Sequence, residues 1–211
     1  MPGAEPPFEK SVFINCPFDA AYQPVLRAIA FCVVFLGFTP RLAPENPDNG
    51  VARLDRILHL ILTSKFAIHD IRRCRAQSAG EFARMNMPFE LGLDLGCRKF
   101  GPAHLGDKKL LVLEDTRYDF QKTLSDISGW DIEAHGGNHQ KAVQRVRSWL
   151  VHQAGAEPIG PSRILARYED FQGWYLDDQL QRGASEEDLG EYPMHEMIHA
   201  MQSWMNSAQP G

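Results

Sequence analysis

The sequence predicts an α/β fold, in which a parallel sheet of four to five strands is flanked by helices and followed by a helical C-terminal extension. Between residues 11 and 151, short apolar runs alternate with longer segments that carry apolar residues at helical spacing. Strands that alternate with helices imply right-handed crossovers, which make the strands parallel and cover both faces of the sheet. The chain has 211 residues, of which 44% are hydrophobic, and is therefore long enough for one good core and a small appendage.

The first third of the chain predicts two strand–helix units and a third strand. We expect residues 1–10, which are rich in proline and carry acidic side chains, to be a disordered N-terminus. The residues that follow begin the α/β domain, which we place at 11–154. Its predicted elements are a strand at 11–15, a buried helix at 22–36, a strand at 37–42, a loop at 44–50, a helix at 51–62 and a strand at 65–70.

The rest of the chain continues this alternation and then changes character. Residues 71–84 are polar and basic, and they form a longer connection than the roughly 2–6 residues usual at this point of an α/β unit. Residues 155–211 are predicted to be a linker followed by a helical extension. The predicted elements are a helix from Asn86, a strand at 108–114, a short helical piece at 118–126, a weak strand at 130–134, a helix at 138–151 and C-terminal helices at 162–181 and 185–207.

The stretch at residues 86–96 predicts the start of a helix that presents a carboxylate. Asn86 fits the N-cap, and Pro88 fits the first turn, where its missing N–H is not needed. Glu90 then lies where the helix dipole favours an anion. Asp94 shares a face with Glu90 but lies one turn deeper, and we expect it to be a solvated or structural acid.

Charge and cysteine content exclude several classes of function. The formal net charge is -5, with 22 Lys and Arg against 27 Asp and Glu, so we expect neither a nucleic-acid partner nor a membrane partner. The four cysteines are scattered and predict neither a disulfide framework nor a zinc site. The N-terminus does not have the pattern of a signal peptide, and the longest apolar run is too short to span a bilayer. We therefore expect a cytoplasmic protein.

Candidate site residues follow from the predicted sheet, because ligands of open parallel sheets bind outside the carboxyl ends of the strands. Arg53 and Arg72 are by default solvated charges, and Asp70 alone would be a turn cap, but their positions make them candidates for substrate contact. The candidates are Asn15, Pro17, Phe18 and Asp19 after the first strand, Arg53 after the second, Asp70 and Arg72 after the third, and Asn86 with Glu90 on the next helix.

Three motifs carry a resemblance to a known family. They are Phe-Ile-Asn-Cys-Pro-Phe at 13–18, Ile-His-Asp at 68–70 and Pro-Phe-Glu-Leu-Gly at 88–92. Together with the order of elements from 11 to 151, they resemble the nucleoside 2-deoxyribosyltransferases and, through them, the TIR-like superfamily of N-glycosidases and NAD-cleaving domains. The chain is also similar to a group of bacterial proteins of unassigned function. The resemblance implies a flavodoxin-like, TIR-like sheet.

The resemblance also implies a chemistry, which is cleavage or transfer at the N-glycosidic bond of a nucleoside, a nucleotide or NAD, in a setting such as antiphage defence. Glu90 matches the carboxylate that attacks or holds the sugar carbon next to the base, and Asp70 matches the acid that binds sugar hydroxyls or assists the base. A donor to the leaving base is expected among Asp70, His69 and Asn86. No cofactor is expected, since an N-glycoside needs no metal.

Two alternatives stay open. One is a non-catalytic TIR-like module that senses a nucleotide or pairs with a protein, assembling through its C-terminal helices; in either case we expect a homo-oligomer. The other is suggested by His195, Glu196 and His199, which match the H-E-x-x-H pattern of zinc proteases. No His, Asp or Glu follows His199 to supply a third ligand, and the same turns carry apolar residues that fit a packing face. We therefore expect no metal site.

Overall fold

A single sheet of five parallel strands forms the centre of the protein. The computed structural model describes residues 5–43, 52–72, 74, 76, 80–185, 188 and 192–207. The strand order is β2-β1-β3-β4-β5, which is the flavodoxin-like order, and the α/β class predicted from the sequence is confirmed. The strands are β1 Ser11–Asn15, β2 Thr39–Arg41, β3 Phe66–Asp70, β4 Lys109–Glu114 and β5 Glu133–Ala134.

Helices cover both faces of this sheet. α1 packs against α4, α5 and α6 on one face, whereas α2 packs against α3 on the other. We refer to these as the α1 face and the α3 face. The helices are α1 Gln23–Phe35, α2 Arg53–Leu62, α3 Asn86–Phe100, α4 His139–Ala154, α5 Pro161–Gln181 and α6 Met194–Ser207, and short 3-10 helices occur at Phe8–Lys10, Ala103–Asp107, Asp119–Lys122 and Ser125–Ile127.

Successive strand residues alternate between the two faces, as the pleat requires. Val12 and Ile14 of β1 pack in the core under α1, and Phe13 between them packs with Ile57 and Ile61 of α2. The same alternation holds along β3 and decides where its last two side chains go. His69 and Asp70 leave β3 on opposite faces, and this difference governs the site described below.

The N-terminal residues that the structure describes are attached to the domain. Phe8–Lys10 form a 3-10 helix directly before β1. The Glu5 carboxylate lies 3.0 Å from Arg41 Nη2 and 2.8 Å from His59 Nε2. Because the guanidinium and imidazole donate to it, the pKa of Glu5 is lowered. Disorder was expected for residues 1–10, and the segment from Glu5 onward instead contains this short helix and these ion pairs.

The predicted C-terminal helix at 185–207 is only partly correct. Asp188 N–H donates to Ser185 Oγ at 3.2 Å and Ser185 N–H donates to Asp188 Oδ2 at 2.7 Å, which is the reciprocal capping expected there. Tyr192 and Pro193 are not helical, however, and α6 begins at Met194. A proline in a helix interior removes a backbone hydrogen bond and clashes with the preceding turn, so one continuous helix was a wrong prediction.

Smaller differences affect the segment between β4 and α4. The helical piece expected at 118–126 is divided into two 3-10 helices, and the strand expected at 130–134 is reduced to two residues. The loop predicted at 44–50 lies outside the described residues. Among the helices that the structure does describe, none is both long and apolar enough to cross a lipid bilayer.

Candidate functional site

The start of α3 differs from its prediction by one residue. Met85 occupies the N-cap position without a side-chain cap, and Asn86, expected as the N-cap, is the exposed first residue of the helix. Glu90 is consequently the fifth helical residue and lies in the second turn, where the dipole has less effect on it than was expected. The environment of Glu90 therefore has to come from tertiary packing.

Glu90 is a largely buried carboxylate at the carboxyl edge of the sheet. Only 7% of the residue is exposed, and within the described part of the chain no side chain or backbone group hydrogen-bonds it. Burial raises the pKa of Glu90 above its ordinary value, and the positive charge of Arg53 acts in the opposite direction. A largely buried acid that lacks a hydrogen-bond partner among the described residues, and that has a counter-charge nearby, is a candidate for binding or catalysis.

A buried hydrogen-bond chain on the α3 face holds the helix on either side of Glu90. Asn15 Nδ2 donates to the Met87 carbonyl and to His69 Nδ1, both at 3.0 Å. Since Nδ1 accepts, the proton of a neutral His69 lies on Nε2, which donates to Asp94 Oδ2 at 3.1 Å. Asn15, His69 and Asp94 therefore tie α3 to β1 and β3.

The hydrogen-bond chain through Asn15, His69 and Asp94 ends at a buried lysine, Lys108. Lys108 Nζ lies 3.3 Å from Asp94 Oδ1, donates to Ile61 O at 2.7 Å and also donates to the Ser64 carbonyl. Burial lowers the pKa of Lys108, and the Asp94 charge opposes that effect. Asp94 is thus a structural acid, one of the two roles expected for it, and it is not solvated.

Asp70 belongs to a separate group on the α1 face and is closed off from solvent. Its Oδ2 accepts from Tyr22 Oη at 2.5 Å and from His135 Nε2 at 2.8 Å, and its Oδ1 accepts from Arg72 N–H at 2.9 Å. His135 Nδ1 accepts from Gly137 N–H at 3.0 Å, which places the proton of a neutral imidazole on Nε2. Three donors thus satisfy a carboxylate of zero exposure.

This arrangement does not support the sugar contact expected of Asp70. Burial and the Asp70 charge both raise the pKa of Tyr22 well above its ordinary value, so the phenol keeps its proton and remains a donor. His69 and Asp70 leave β3 on opposite faces. His69 belongs to the hydrogen-bond chain that holds α3, the helix that carries Glu90, whereas Asp70 does not. The Asp70 side chain is therefore held in a different hydrogen-bonded group from the one that binds α3 on either side of Glu90.

The other predicted residues are divided between core, ion pairs and surface. Pro17 is buried and Phe18 packs half-buried on the main core. Asp19 Oδ2 lies 3.3 Å from Arg84 Nη1. Arg72 Nε lies 3.4 Å from Asp115 Oδ2, and its guanidinium lies 5.9 Å from the centre of the Tyr22 ring.

Arg53 is exposed at the start of α2, within electrostatic range of Glu90. Lys108 was missed by sequence reasoning, and nothing in its local sequence distinguishes it from the exposed Lys109 beside it. Tyr22 and His135 could have been recognised from the sequence as site residues, since both follow the carboxyl ends of predicted strands.

The zinc-protease pattern lies on the outer surface of α6. His195, Glu196 and His199 are exposed, and Met197 and Ile198 between them are buried, as expected of an ordinary packing face. Throughout the ranges that the structure describes, no three His, Cys, Asp or Glu side chains are grouped so that they could hold a metal ion.

Comparison of the chain with protein-family models, with curated proteins and with solved structures finds no match.

Proposed function

We propose that the protein cleaves, or transfers to a second acceptor, the N-glycosidic bond of a nucleoside, a nucleotide or NAD, with Glu90 as the catalytic carboxylate. The observation that carries the proposal is the state of Glu90. It is largely buried, it has no hydrogen-bond partner among the described residues, and it lies beside the point where the strand order reverses between β1 and β3. The motif resemblance supplies the reaction class.

The reaction requires a negative charge close to the sugar. When the bond between the anomeric carbon and the base breaks, the electron pair leaves with the base and the sugar becomes cation-like. An ionised Glu90 stabilises that cation or adds to it, and water or a second base then completes hydrolysis or transfer. Arg53 favours the ionised form that this step needs.

The neighbouring residues have positioning roles in this proposal. Met87 precedes Glu90 by three residues and Asp94 follows it by four, and both are bound by the Asn15–His69 chain. Glu90 is thus held from both sides, as preorganised catalysis requires.

Asn86, exposed one turn before Glu90, remains the candidate donor to the leaving base, since His69 and Asp70 are both fully buried.

The test is incubation of the purified protein with NAD and a panel of nucleosides and nucleotides, followed by chromatography of the released base. We expect wild type to form product and Glu90→Gln to lose about 10²–10³-fold in turnover. The control is Glu169→Gln, an exposed acid of α5, which should match wild type. Equal product from wild type and Glu90→Gln would remove the assigned role.

A result without turnover distinguishes the second candidate. If no substrate reacts but a nucleotide raises the melting temperature, the protein is a nucleotide-sensing module and not an enzyme.

We further propose that the protein acts in the cytoplasm as a homo-oligomer in antiphage defence. Expression of wild type and Glu90→Gln in phage-infected bacteria, with measurement of cellular NAD, tests this setting. Defence retained by Glu90→Gln, or a monomer in sedimentation, would contradict it.

A further inference from the structure

A cavity of about 410 Å³ lies where α5 of the C-terminal extension meets the start of α1 and the start of α4. Its lining includes Gln23, Pro24 and Arg27 of α1, His139 of α4, and Tyr168 and Gln172 of α5. A second cavity of about 140 Å³ shares Arg27, Tyr168 and Gln172 and continues between the helices towards Met197. The volume of the first cavity is in the range of small-molecule sites. The cavity lies on the α1 face, opposite the helix that carries Glu90.

Within the part of the chain that the structure describes, Arg27 is a cation without a counter-charge. Its Nε is buried and has no hydrogen-bond acceptor, and no carboxylate of the described residues lies within ion-pair distance of its guanidinium. Other arginines with a buried nitrogen lacking an acceptor differ in this respect, since Arg41 pairs with Glu5 and Arg72 with Asp115. Arg27 as a whole is half-buried, and its unpaired Nε and uncompensated charge leave it able to bind an acceptor from outside the chain.

The rest of the lining also favours an anion. Among the described residues no acidic side chain lines the cavity, and the first residues of α1 and α4, which are the positive ends of their dipoles, contribute to its lining. The first N–H groups of α1 are already used, with Gln23 and Val25 donating to Ala20 O and Tyr22 O. Binding would therefore depend on side chains, namely the Arg27 guanidinium, the His139 imidazole and the Gln172 amide.

Tyr168 adds an apolar wall and a donor. It is 5% exposed, and its ring lies 5.2 Å from that of Phe31, so it is held rigidly in the core. Burial raises its pKa to about 12, against the opposing charge of Arg27, so its hydroxyl keeps its proton. The volume exceeds what a bare phosphate fills, which leaves room for an organic group against Tyr168 and Pro24.

We propose that this cavity is a second ligand site, which binds a small organic phosphate monoester with the phosphate on Arg27 and the organic group against Tyr168. A dianionic phosphate matches a bidentate guanidinium near two helix N-termini better than a monoanionic carboxylate does. The C-terminal extension is then part of a binding site, because α5 supplies Tyr168 and Gln172. This proposal does not depend on the chemistry assigned to Glu90.

The test uses isothermal titration of the full chain with phenyl phosphate, inorganic phosphate and benzoate. We expect phenyl phosphate to bind more tightly than either of the other two. Arg27→Gln should weaken it by about tenfold or more, and Arg163→Gln, which alters an exposed arginine of α5, should leave it unchanged. Glu90→Gln should bind phenyl phosphate like wild type, so this site and the proposed activity fail or succeed separately.

A second variant keeps the test valid if Arg27→Gln does not fold. Gln172→Glu places a carboxylate in the same cavity as Arg27, and we expect it to abolish phosphate binding without lowering the melting temperature. Three results would overturn the proposal: no heat with phenyl phosphate up to millimolar concentration, equal binding of benzoate and phenyl phosphate, or wild-type binding by both Arg27→Gln and Gln172→Glu.

Discussion

At the scale of single residues, Glu90 is governed by two opposing effects. Burial favours its protonated form, and the charge of Arg53 favours the carboxylate. The proposed glycosidic cleavage needs the carboxylate, so under that proposal the acid limb of the pH–rate profile should follow the pKa of Glu90. The balance between these two effects can be altered without touching Glu90 itself.

Arg53→Gln should move the acid limb of kcat/KM to higher pH. Removing the positive charge leaves burial unopposed, so a higher pH is needed to ionise Glu90. Comparison of the pH–rate profiles of the variant and wild type measures the shift. The difference between the two profiles should shrink as added salt screens the exposed guanidinium. Arg98→Gln, at the far end of α3, is the control and should leave the profile in place.

Glu90→Gln should stabilise the protein at neutral pH. The folded-state pKa of Glu90 is raised, so the native state binds more protons than the unfolded state between the two pKa values. Unfolding free energy is therefore lost as pH rises from the unfolded pKa through the folded one. The amide has no such loss, and urea unfolding at a series of pH values should show the two proteins diverging as pH rises. A variant less stable than wild type at neutral pH would contradict this reasoning.

At the scale of elements, α3 is attached to the sheet through buried polar contacts as well as apolar ones. Asn15 holds the Met87 carbonyl, and His69 and Lys108 hold Asp94, so the helix carrying Glu90 is tied to β1, β3 and the start of β4. These contacts fix the depth and rotation of α3 at the site. Loss of one partner should leave another charge buried and unpaired.

Lys108→Met should destabilise the fold by about 3–5 kcal/mol, because Asp94 would then be a buried carboxylate without its cation. Chemical denaturation measures the change. Lys109→Met alters the exposed neighbouring lysine and should change stability by about 0.5 kcal/mol or less. Adding Asp94→Asn to Lys108→Met should recover part of the loss, and no recovery would show that the charge is not the cause.

At the scale of the whole molecule, the C-terminal extension shares the main core. Phe171, Met201 and Trp204 are buried with Phe31 of α1, and the linker residue Ile159 packs on the same cluster and accepts from Arg147 Nε at 2.6 Å. Trp204 and Tyr175 are each 7% exposed, so these two aromatic side chains are largely used within the chain. Trp174, at 36% exposure, stays available at the surface.

Phe171→Ala should destabilise the whole protein by about 3–5 kcal/mol, because the ring is 1% exposed and packs 5.6 Å from Phe31. A single unfolding transition at lower denaturant is expected in both circular dichroism and tryptophan fluorescence. Leu180→Ala, on the same helix at 41% exposure, should have a small effect. A separate early transition of the extension in Phe171→Ala would show that it does not share the domain's core.

The α/β class and the approximate positions of the elements could be predicted from the sequence, and the candidate residues at the carboxyl edge of the sheet stay a prediction. Apolar periodicity records which side of an element is buried, so it predicted β1, α1 and the packing face of α6 directly.

Which of the polar residues contact one another depends on the tertiary structure. His69 and Asp70 are adjacent in the chain, yet the pleat sends one to Asp94 and the other to Tyr22 and His135. Lys108 reaches Asp94 because the 3-10 helix directly before it, Ala103–Asp107, packs against α3, and local sequence carries no record of such pairings.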